Sequence, residues 1–354
     1  MLIDFNEIRR GVVEDMRVVH LVCSDGFAGV ENYIVNVASG LVVDGADVTV
    51  IGGSREQMGA ALSDTGVEWL PGDDMRGAMA SLRATAPPDI LHTHMSQADL
   101  VGWLHLRGRG RAIRHVSTRH FAGLRGGNPL VRAVFRPVGS SLSAQIAISQ
   151  FVADNVEPPV DVVYSGVTSS DAAAQREPFV FAAQRLEPEK HTADVIEAWA
   201  RSEGAAAGWT LRIAGDGSER AQLEELTRAR GVRDSVEFLG HRSDVPDLLT
   251  RAGLVLAPTP REGLGIFVLE AMARAAPIIA SAGGGHLETV GAVSADLLFT
   301  PGDTVAAARK IDELIADVQL RAEYGTALRE MQRARFTIES QVAGTRAVYE
   351  RVIA

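Results

Sequence analysis

The sequence predicts an α/β protein made of two doubly wound parallel-sheet domains, and three observations carry that expectation. The chain has 354 residues, too many for one small core and enough for two domains of about 100–200 residues each. Apolar residues make up 46% and there are 35 glycines, a composition suited to many tight turns between strands and helices. Short apolar runs recur along the chain, several of them followed by a glycine-bearing or polar turn and then a helical pattern. That succession is what βα units look like in sequence.

The first run, at 17–23, reads as a buried parallel strand. It leads through Ser24-Asp25-Gly26-Phe27-Ala28-Gly29 into a helical pattern at 30–42. Ligand phosphates are often held at this first βα turn. The spacing is Gly26-x-x-Gly29 rather than Gly-x-Gly-x-x-Gly, which counts against a nicotinamide cofactor. Gly29 is either a plain turn glycine or a phosphate contact. Strands are expected at 46–52 and 66–70. Pro87-Pro88 breaks the chain before a strand at 89–94, which ends in His92-Thr93-His94 with both imidazoles on one face. Two such histidines could begin a metal site, but no third ligand lies nearby, and no metal is expected. Strands at 113–118, 144–149 and 161–164 complete a first domain over 1–168. His120 follows the first of these and His115 lies within it.

After a linker at 169–178, a second domain over 169–337 opens with a strand at 179–183. It runs into Gln184-Arg185-Leu186-Glu187-Pro188-Glu189-Lys190 and a helix that reaches Trp199. Arg185 and Lys190 thus place two cations at a strand end and a helix start. They form either an exposed ion pair or a seat for an anionic group. The chain has 33 arginines and only two lysines, Lys190 and Lys310, so lysine is an unusual choice at either position. A strand at 209–214 ends in Gly215-Asp216-Gly217, and another at 235–239 precedes Gly240-His241. A run at 295–299 ends the sheet, and three helical patterns close the chain, the last at 338–353.

Between them lies the richest stretch, 252–291. An apolar run at 253–257 leads through Pro258-Thr259-Pro260-Arg261 to Glu262-Gly263-Leu264-Gly265. A helical pattern from Ile266 contains Glu270, and a second apolar run at 277–280 leads into Gly283-Gly284-Gly285. The loop offers backbone N–H groups and a helix start, where negative charge and hydroxyl oxygens are well received. Glu262 and Glu270 bracket it, and a carboxylate can accept two hydrogen bonds at once, as the vicinal hydroxyls of a sugar require. Taken alone, they could equally be a loop acid and a solvated helix position.

With its glycines and proline-rich lead-in, this stretch resembles the signature of the retaining nucleotide-sugar glycosyltransferases of glycosyltransferase family 4, two glutamates separated by seven residues. The resemblance covers nearly the whole chain, strongly over 179–291 and weakly before Asp89. It implies the GT-B arrangement, two Rossmann-like domains facing across a cleft, with the helix 338–354 packing back on the first. It implies transfer of a hexosyl group from a UDP- or GDP-sugar to a hydroxyl acceptor with retention of configuration. By resemblance, Arg185 and Lys190 would meet the diphosphate, Glu270 the ribose, and Glu262 with the backbone of Gly263, Leu264, Gly265 and Ile266 the sugar hydroxyls. Gly29, Gly215 and Gly240 would line the donor site and His120 would stand near the anomeric centre. The chain departs from the family pattern at Ala28, Gln184, Ser165 and Leu287. The departures at Gln184, Ser165 and Leu287 keep open a non-catalytic nucleotide-sugar sensor, beside a same-fold epimerase or hydrolase.

No Asp-x-Asp pair occurs in the sequence, so Arg and Lys rather than a divalent ion are expected to hold the phosphates, with no cofactor. The net charge of −10 argues against a general nucleic-acid binder. Within 101–150 there are eight arginines and no Asp or Glu, so a total of −10 with +8 in this stretch leaves −18 elsewhere. Either composition alone produced this run, or it forms a basic face for an anionic or lipid-linked acceptor at a membrane surface. One cysteine, Cys23, allows no internal disulfide and suggests a reducing cytoplasm. No run reaches the roughly 18 apolar residues of a membrane span, and the acidic start does not read as a signal peptide.

Overall fold

The computed structural model describes residues 16–107, 113–126, 129–171 and 175–354. The chain splits into two units, one running to Gly166 and taking in Ile338–Ala354, the other Val167–Thr337. In the first, strands β1 (Arg17–Val22), β2 (Asp47–Ile51), β3 (Glu68–Leu70), β4 (Ile90–His94), β5 (Arg114–Arg119), β6 (Ala144–Ala147) and β7 (Asp161–Val162) form one sheet. Its order is β3-β2-β1-β4-β5-β6-β7 with every pairing parallel. The second unit has β8 (Glu177–Ala183), β9 (Thr210–Ala214), β10 (Val236–Gly240), β11 (Ala252–Ala257), β12 (Ile278–Ser281) and β13 (Leu298–Phe299). Their order is β10-β9-β8-β11-β12-β13, again all parallel. Each sheet starts in the middle and winds outward both ways, which puts a switch in strand order beside β1 and β4 and beside β8 and β11.

The sequences explain the layers. Parallel strands are covered on both faces, so they read as nearly continuous apolar runs; β11 is buried at all six positions. The helix Ile338–Ile353 returns to the first unit and packs on the helix Gly29–Val43. A Cβ at Gly40 would collide with Val342, so glycine sets how closely the two helices approach. Arg346 pairs with Asp44 at 2.9 Å, and Arg351 pairs with Asp161 at the sheet edge.

Several expected strands are shorter than their apolar runs: of 66–70 only Glu68–Leu70 joins the sheet, of 144–149 only Ala144–Ala147, and two others shrink as well. At 161–164 only Asp161–Val162 joins the sheet, with one further bond from Val163 N–H to the Ala147 carbonyl, because β6 ends there. At 295–299 the first three residues form a 3₁₀ turn in which the Ser294 hydroxyl accepts from Asp296 N–H. Only Leu298–Phe299 reaches β12.

The arginine-rich stretch also proves less basic than its count. Arg125 lies buried against Asp99 at 2.7 Å, and Arg119 pairs with Glu157 at 2.6 Å. A buried guanidinium needs such a partner, and both acids lie just outside the stretch. Arg107 sits over the ring of Trp103, while Arg109 and Arg111 fall outside the described residues.

Candidate functional site

The loops at the carboxyl ends of β8, β11 and β12 build the site. After β8 the chain makes a 3₁₀ turn, Pro188–Lys190, and His191 takes a left-handed conformation before the helix Thr192–Arg201. That turn aims Lys190 at the neighbouring loop, where its Nζ donates to Glu262 Oε2 at 2.7 Å. The two side chains are 20% and 25% exposed, buried enough to be held and open enough to be reached.

Gln184 fixes this turn. Its amide nitrogen donates to the Lys190 carbonyl at 3.0 Å and to Thr192 Oγ1 at 2.8 Å, and its oxygen accepts from Thr259 Oγ1 at 3.2 Å. The residue that departs from the family pattern therefore ties the β8 loop to the β11 loop. Arg185 is placed differently: it is 68% exposed and pairs with Glu189 at 2.9 Å. An exposed pair of that kind holds its partners weakly.

After β11, Gly265 takes a left-handed turn with φ of 93° and starts the helix Ile266–Ala273, whose first turn has no side-chain cap. Its N–H groups are those a helix start presents to an anion or a sugar oxygen. Glu270 lies within this helix. Burial pushes its carboxyl above the ordinary carboxylate range, while the Arg274 charge works the other way.

The Gly283-Gly284-Gly285 turn explains itself by contact. A Cβ on Gly283 would land on the Pro260 carbonyl, on Gly284 on the Glu262 backbone, and on Gly285 on Leu264 Cα and within 2.7 Å of the Gly263 carbonyl oxygen. Gly285 N–H donates to the Glu262 carbonyl at 2.9 Å, so this turn braces the loop that carries Glu262. Gly285→Ala should therefore lower stability by about 1–3 kcal/mol through overpacking. The denaturation midpoint at constant m-value would show it; an unchanged midpoint would mean the brace is not under compression. His286, next in line, is buried, and its Nδ1 lies 3.1 Å from the Ser281 carbonyl. Nδ1 therefore carries the proton. Burial lowers its pKa, against the pull of the Glu262 charge.

Gly215 and Gly240 come together: Gly215 N–H donates to the Gly240 carbonyl at 2.7 Å. Both need positive φ, 127° and 67°, and a Cβ on Gly215 would strike the Gln184 carbonyl. The remaining predicted residues, Gly29 and His120, belong to the other unit. Gly29 opens its helix behind Ala28, whose N–H donates to the Glu31 carboxylate at 2.9 Å. His120 lies beyond β5 with its Nε2 at 3.1 Å from His94 Nδ1. His115, which the sequence could not separate from it, faces the opposite side of the sheet and meets Thr93 Oγ1 at 3.0 Å.

The expectation that no third ligand lies near His92 and His94 is corrected. β1 pairs with β4 so that His20 lies in register with His92, and nitrogens of His20, His92 and His94 lie within 4.8 Å of one another. The three rings stack or tilt across one another with centroids 4.4–5.3 Å apart. His92 has both ring nitrogens engaged elsewhere, at 2.5 Å from Tyr349 OH and 2.7 Å from Thr118 Oγ1. Within the trio, His20 and His94 are hydrogen-bonded at 3.0 Å.

Parallel sheets wound both ways, with glycine turns and paired charged groups at their carboxyl ends, define a ligand-binding α/β protein of the two-Rossmann kind. Comparison with known proteins makes this specific. The model for "Glycosyltransferase Family 4" matches residues 27–170 and that for "Glycosyl transferases group 1" matches 169–331. The chain belongs to the GT-B glycosyltransferases. It is 27% identical over 228 residues to the 2-deoxystreptamine glucosyltransferase of Streptomyces kanamyceticus, covering 60% of this chain and 58% of that one. It is 30% identical to the N-acetyl-alpha-D-glucosaminyl L-malate synthase of Bacillus anthracis over 46% of this chain and 43% of that one. The match thus spans less than two thirds of these relatives. Among solved structures, Anabaena HepE in complex with UDP and glucose superposes with a TM-score of 0.75 at 23% identity, over 93% of this chain and 99% of that one. Sucrose-phosphate synthase of Thermosynechococcus elongatus gives 0.76 at 19%, over 96% and 99%. Among the described residues no helix is long and apolar enough to cross a membrane.

Proposed function

We propose that this protein transfers a hexosyl group from a nucleoside diphosphate sugar to a hydroxyl acceptor with retention of configuration. The observation that carries this is the Lys190–Glu262 pair at 2.7 Å, set between two βα loops and beside an uncapped helix start. Lys190 with Arg185 neutralises the diphosphate, Glu270 accepts the ribose hydroxyls, and Glu262 with the Gly263–Ile266 backbone accepts and positions those of the sugar. Gly29, Gly215 and Gly240 leave room for the donor, and His120 stands near the anomeric carbon.

In the transfer, the bond from the anomeric carbon to the β-phosphate oxygen breaks as one to the acceptor oxygen forms on the same face. The departing phosphate takes the acceptor's proton. Its growing charge falls where Lys190 stands, which is where fixed charge lowers the barrier. HepE was crystallised with UDP and glucose, so a UDP-sugar is the first donor to test, ahead of a GDP-sugar. The acceptor is a small molecule, a lipid-linked group or a glycan, and the arginines in 101–150 favour an anionic or lipid-linked one. The pairs made by Arg119 and Arg125 reduce the charge available for that purpose.

The test is thermal shift against UDP, GDP and ADP, then hydrolysis of the matching sugar donor with and without EDTA. One nucleotide should raise the melting temperature, and its sugar should be cleaved at the same rate in EDTA, because cations of the chain hold the phosphates. No shift with any of the three would remove the reading. Full loss in EDTA, restored by magnesium or manganese, would remove its metal independence.

A further inference from the structure

One face of the first unit's sheet carries a chain of imidazoles that runs from its centre to His120. His20 Nδ1 lies 3.0 Å from His94 Nε2, and His94 Nδ1 lies 3.1 Å from His120 Nε2. His20 and His94 are wholly buried, whereas His120 is 6% exposed, so the chain meets solvent only at that end. Tyr33 closes over it edge-on, with ring centroids 4.9 Å from His120 and 5.7 Å from His94. His92 stands apart, held between Tyr349 OH at 2.5 Å and Thr118 Oγ1 at 2.7 Å.

Burial pushes His20 and His120 down to about 3 and His94 well below its ordinary value. Each ring is therefore neutral near pH 7 and has one N–H to give. Two N···N bonds in series then allow two arrangements. In one, every ring is protonated at Nδ1: His20 donates to His94, His94 donates to His120, and His120 keeps an Nδ1–H. In the other, every ring is protonated at Nε2 and the donations reverse, leaving His20 with a buried Nε2–H. His20 Nε2 has no partner among the described residues. Among buried main-chain groups an orphaned N–H is rarer than an under-used acceptor, and the same preference is carried over to this ring. The first arrangement is favoured, although the free side chain in water prefers Nε2–H.

We infer that His20 and His94 are positioning residues that fix His120 as its Nδ1–H tautomer, so that its remaining nitrogen is a hydrogen-bond donor to an oxygen of the bound sugar. The tautomer of a histidine is set by what its other nitrogen meets, and here that partner is His94. The donor role rests on the proposed placement of His120 near the reacting sugar; the tautomer does not.

The experiment is long-range ¹H–¹⁵N correlation NMR on ¹⁵N-histidine-labelled full-length protein, which separates pyrrole-like from pyridine-like ring nitrogens without any substrate. His20, His94 and His120 should all be protonated at Nδ1. His94→Phe should release His120 toward Nε2–H. His94→Asn, whose amide can donate where Nδ1–H did, should restore Nδ1–H, and a merely structural role would not produce that rescue. Hydrolysis of the donor sugar should fall about tenfold in kcat in His94→Phe, with unchanged affinity for UDP, and recover in His94→Asn. An Nε2–H at His120 in the wild type, or an unaltered His120 in His94→Phe, would overturn the inference. If His94→Phe fails to fold, the wild-type and His94→Asn spectra still decide it. If the tautomers are as expected but hydrolysis ignores them, the positioning stands and the placement of His120 at the sugar falls.

Discussion

Lys190→Ala is expected to weaken binding of the donor's nucleotide about tenfold to a hundredfold and to slow transfer by at least as much. A hydrogen bond to a charged group contributes roughly 1.5–3 kcal/mol, and each 1.4 kcal/mol is about a factor of ten. The substitution also strips Glu262 of its 2.7 Å partner and leaves a carboxylate facing the incoming phosphates, so repulsion replaces attraction. Arg185→Ala should cost less in the free protein, because that guanidinium is 68% exposed and paired with Glu189, a kind of pair that contributes about 0–1 kcal/mol. Lys190→Arg should recover only part of the loss. The planar fork of arginine does not fit a slot shaped for a point charge on a flexible stem. Calorimetric titration with UDP, paired with donor hydrolysis, separates ground-state binding from the barrier. Unchanged affinity and turnover in Lys190→Ala would take the diphosphate away from this site.

The apolar runs made the strands and their order of appearance legible, because a parallel strand buried on both faces must be apolar along its length. The loop carrying Glu262 and Glu270 was legible as well, since glycine spacing records where the backbone must turn or be approached. What stayed hidden depends on tertiary contacts. Nothing local in sequence brings His20 beside His92, because that neighbourhood is made by the parallel pairing of β1 with β4, some seventy residues apart. The role of Gln184 was hidden for a related reason. Its departure from a family glycine looked like a loss, yet its amide holds the Lys190 turn to Thr259. Glu31 and His286 each sit at a turn beside a residue the sequence did single out, and their neighbours Gly29 and Gly285 were the available signal. The arginine-rich stretch was legible only as a count, because the acids that pair with Arg119 and Arg125 lie outside its bounds at Glu157 and Asp99.

Glu270→Gln should stabilise the free protein while weakening its hold on the nucleotide. The carboxylate is poorly solvated, and burial holds its pKa above the ordinary carboxylate range despite Arg274. The unfolded chain titrates this group at the ordinary value. Between the two pKa values the folded protein binds a proton that the unfolded chain does not, so stability rises as pH falls through that window and levels off below it. Above the window the wild type carries a half-buried charge, only partly offset by Arg274, that the amide variant lacks. The melting temperature of Glu270→Gln should therefore exceed the wild type's near pH 7, and the difference should close on acidification. A strained group kept at the expense of stability is what a ligand site tends to hold. A carboxylate that accepts two ribose hydroxyls contributes charge-assisted bonds of roughly 1.5–3 kcal/mol each, so UDP affinity should fall tenfold or more in the same variant. Glu262→Gln should behave differently, slowing transfer more than it weakens UDP, because its oxygens are proposed to meet the sugar that reacts. Interactions that strengthen only as charge develops lower the barrier without tightening ground-state binding. Melting curves over pH, with UDP titrations of both variants, test the pair together. Equal loss of UDP affinity in the two would void the division of roles, and a Glu270→Gln protein no more stable than the wild type at neutral pH would mean that its carboxylate is not held under strain.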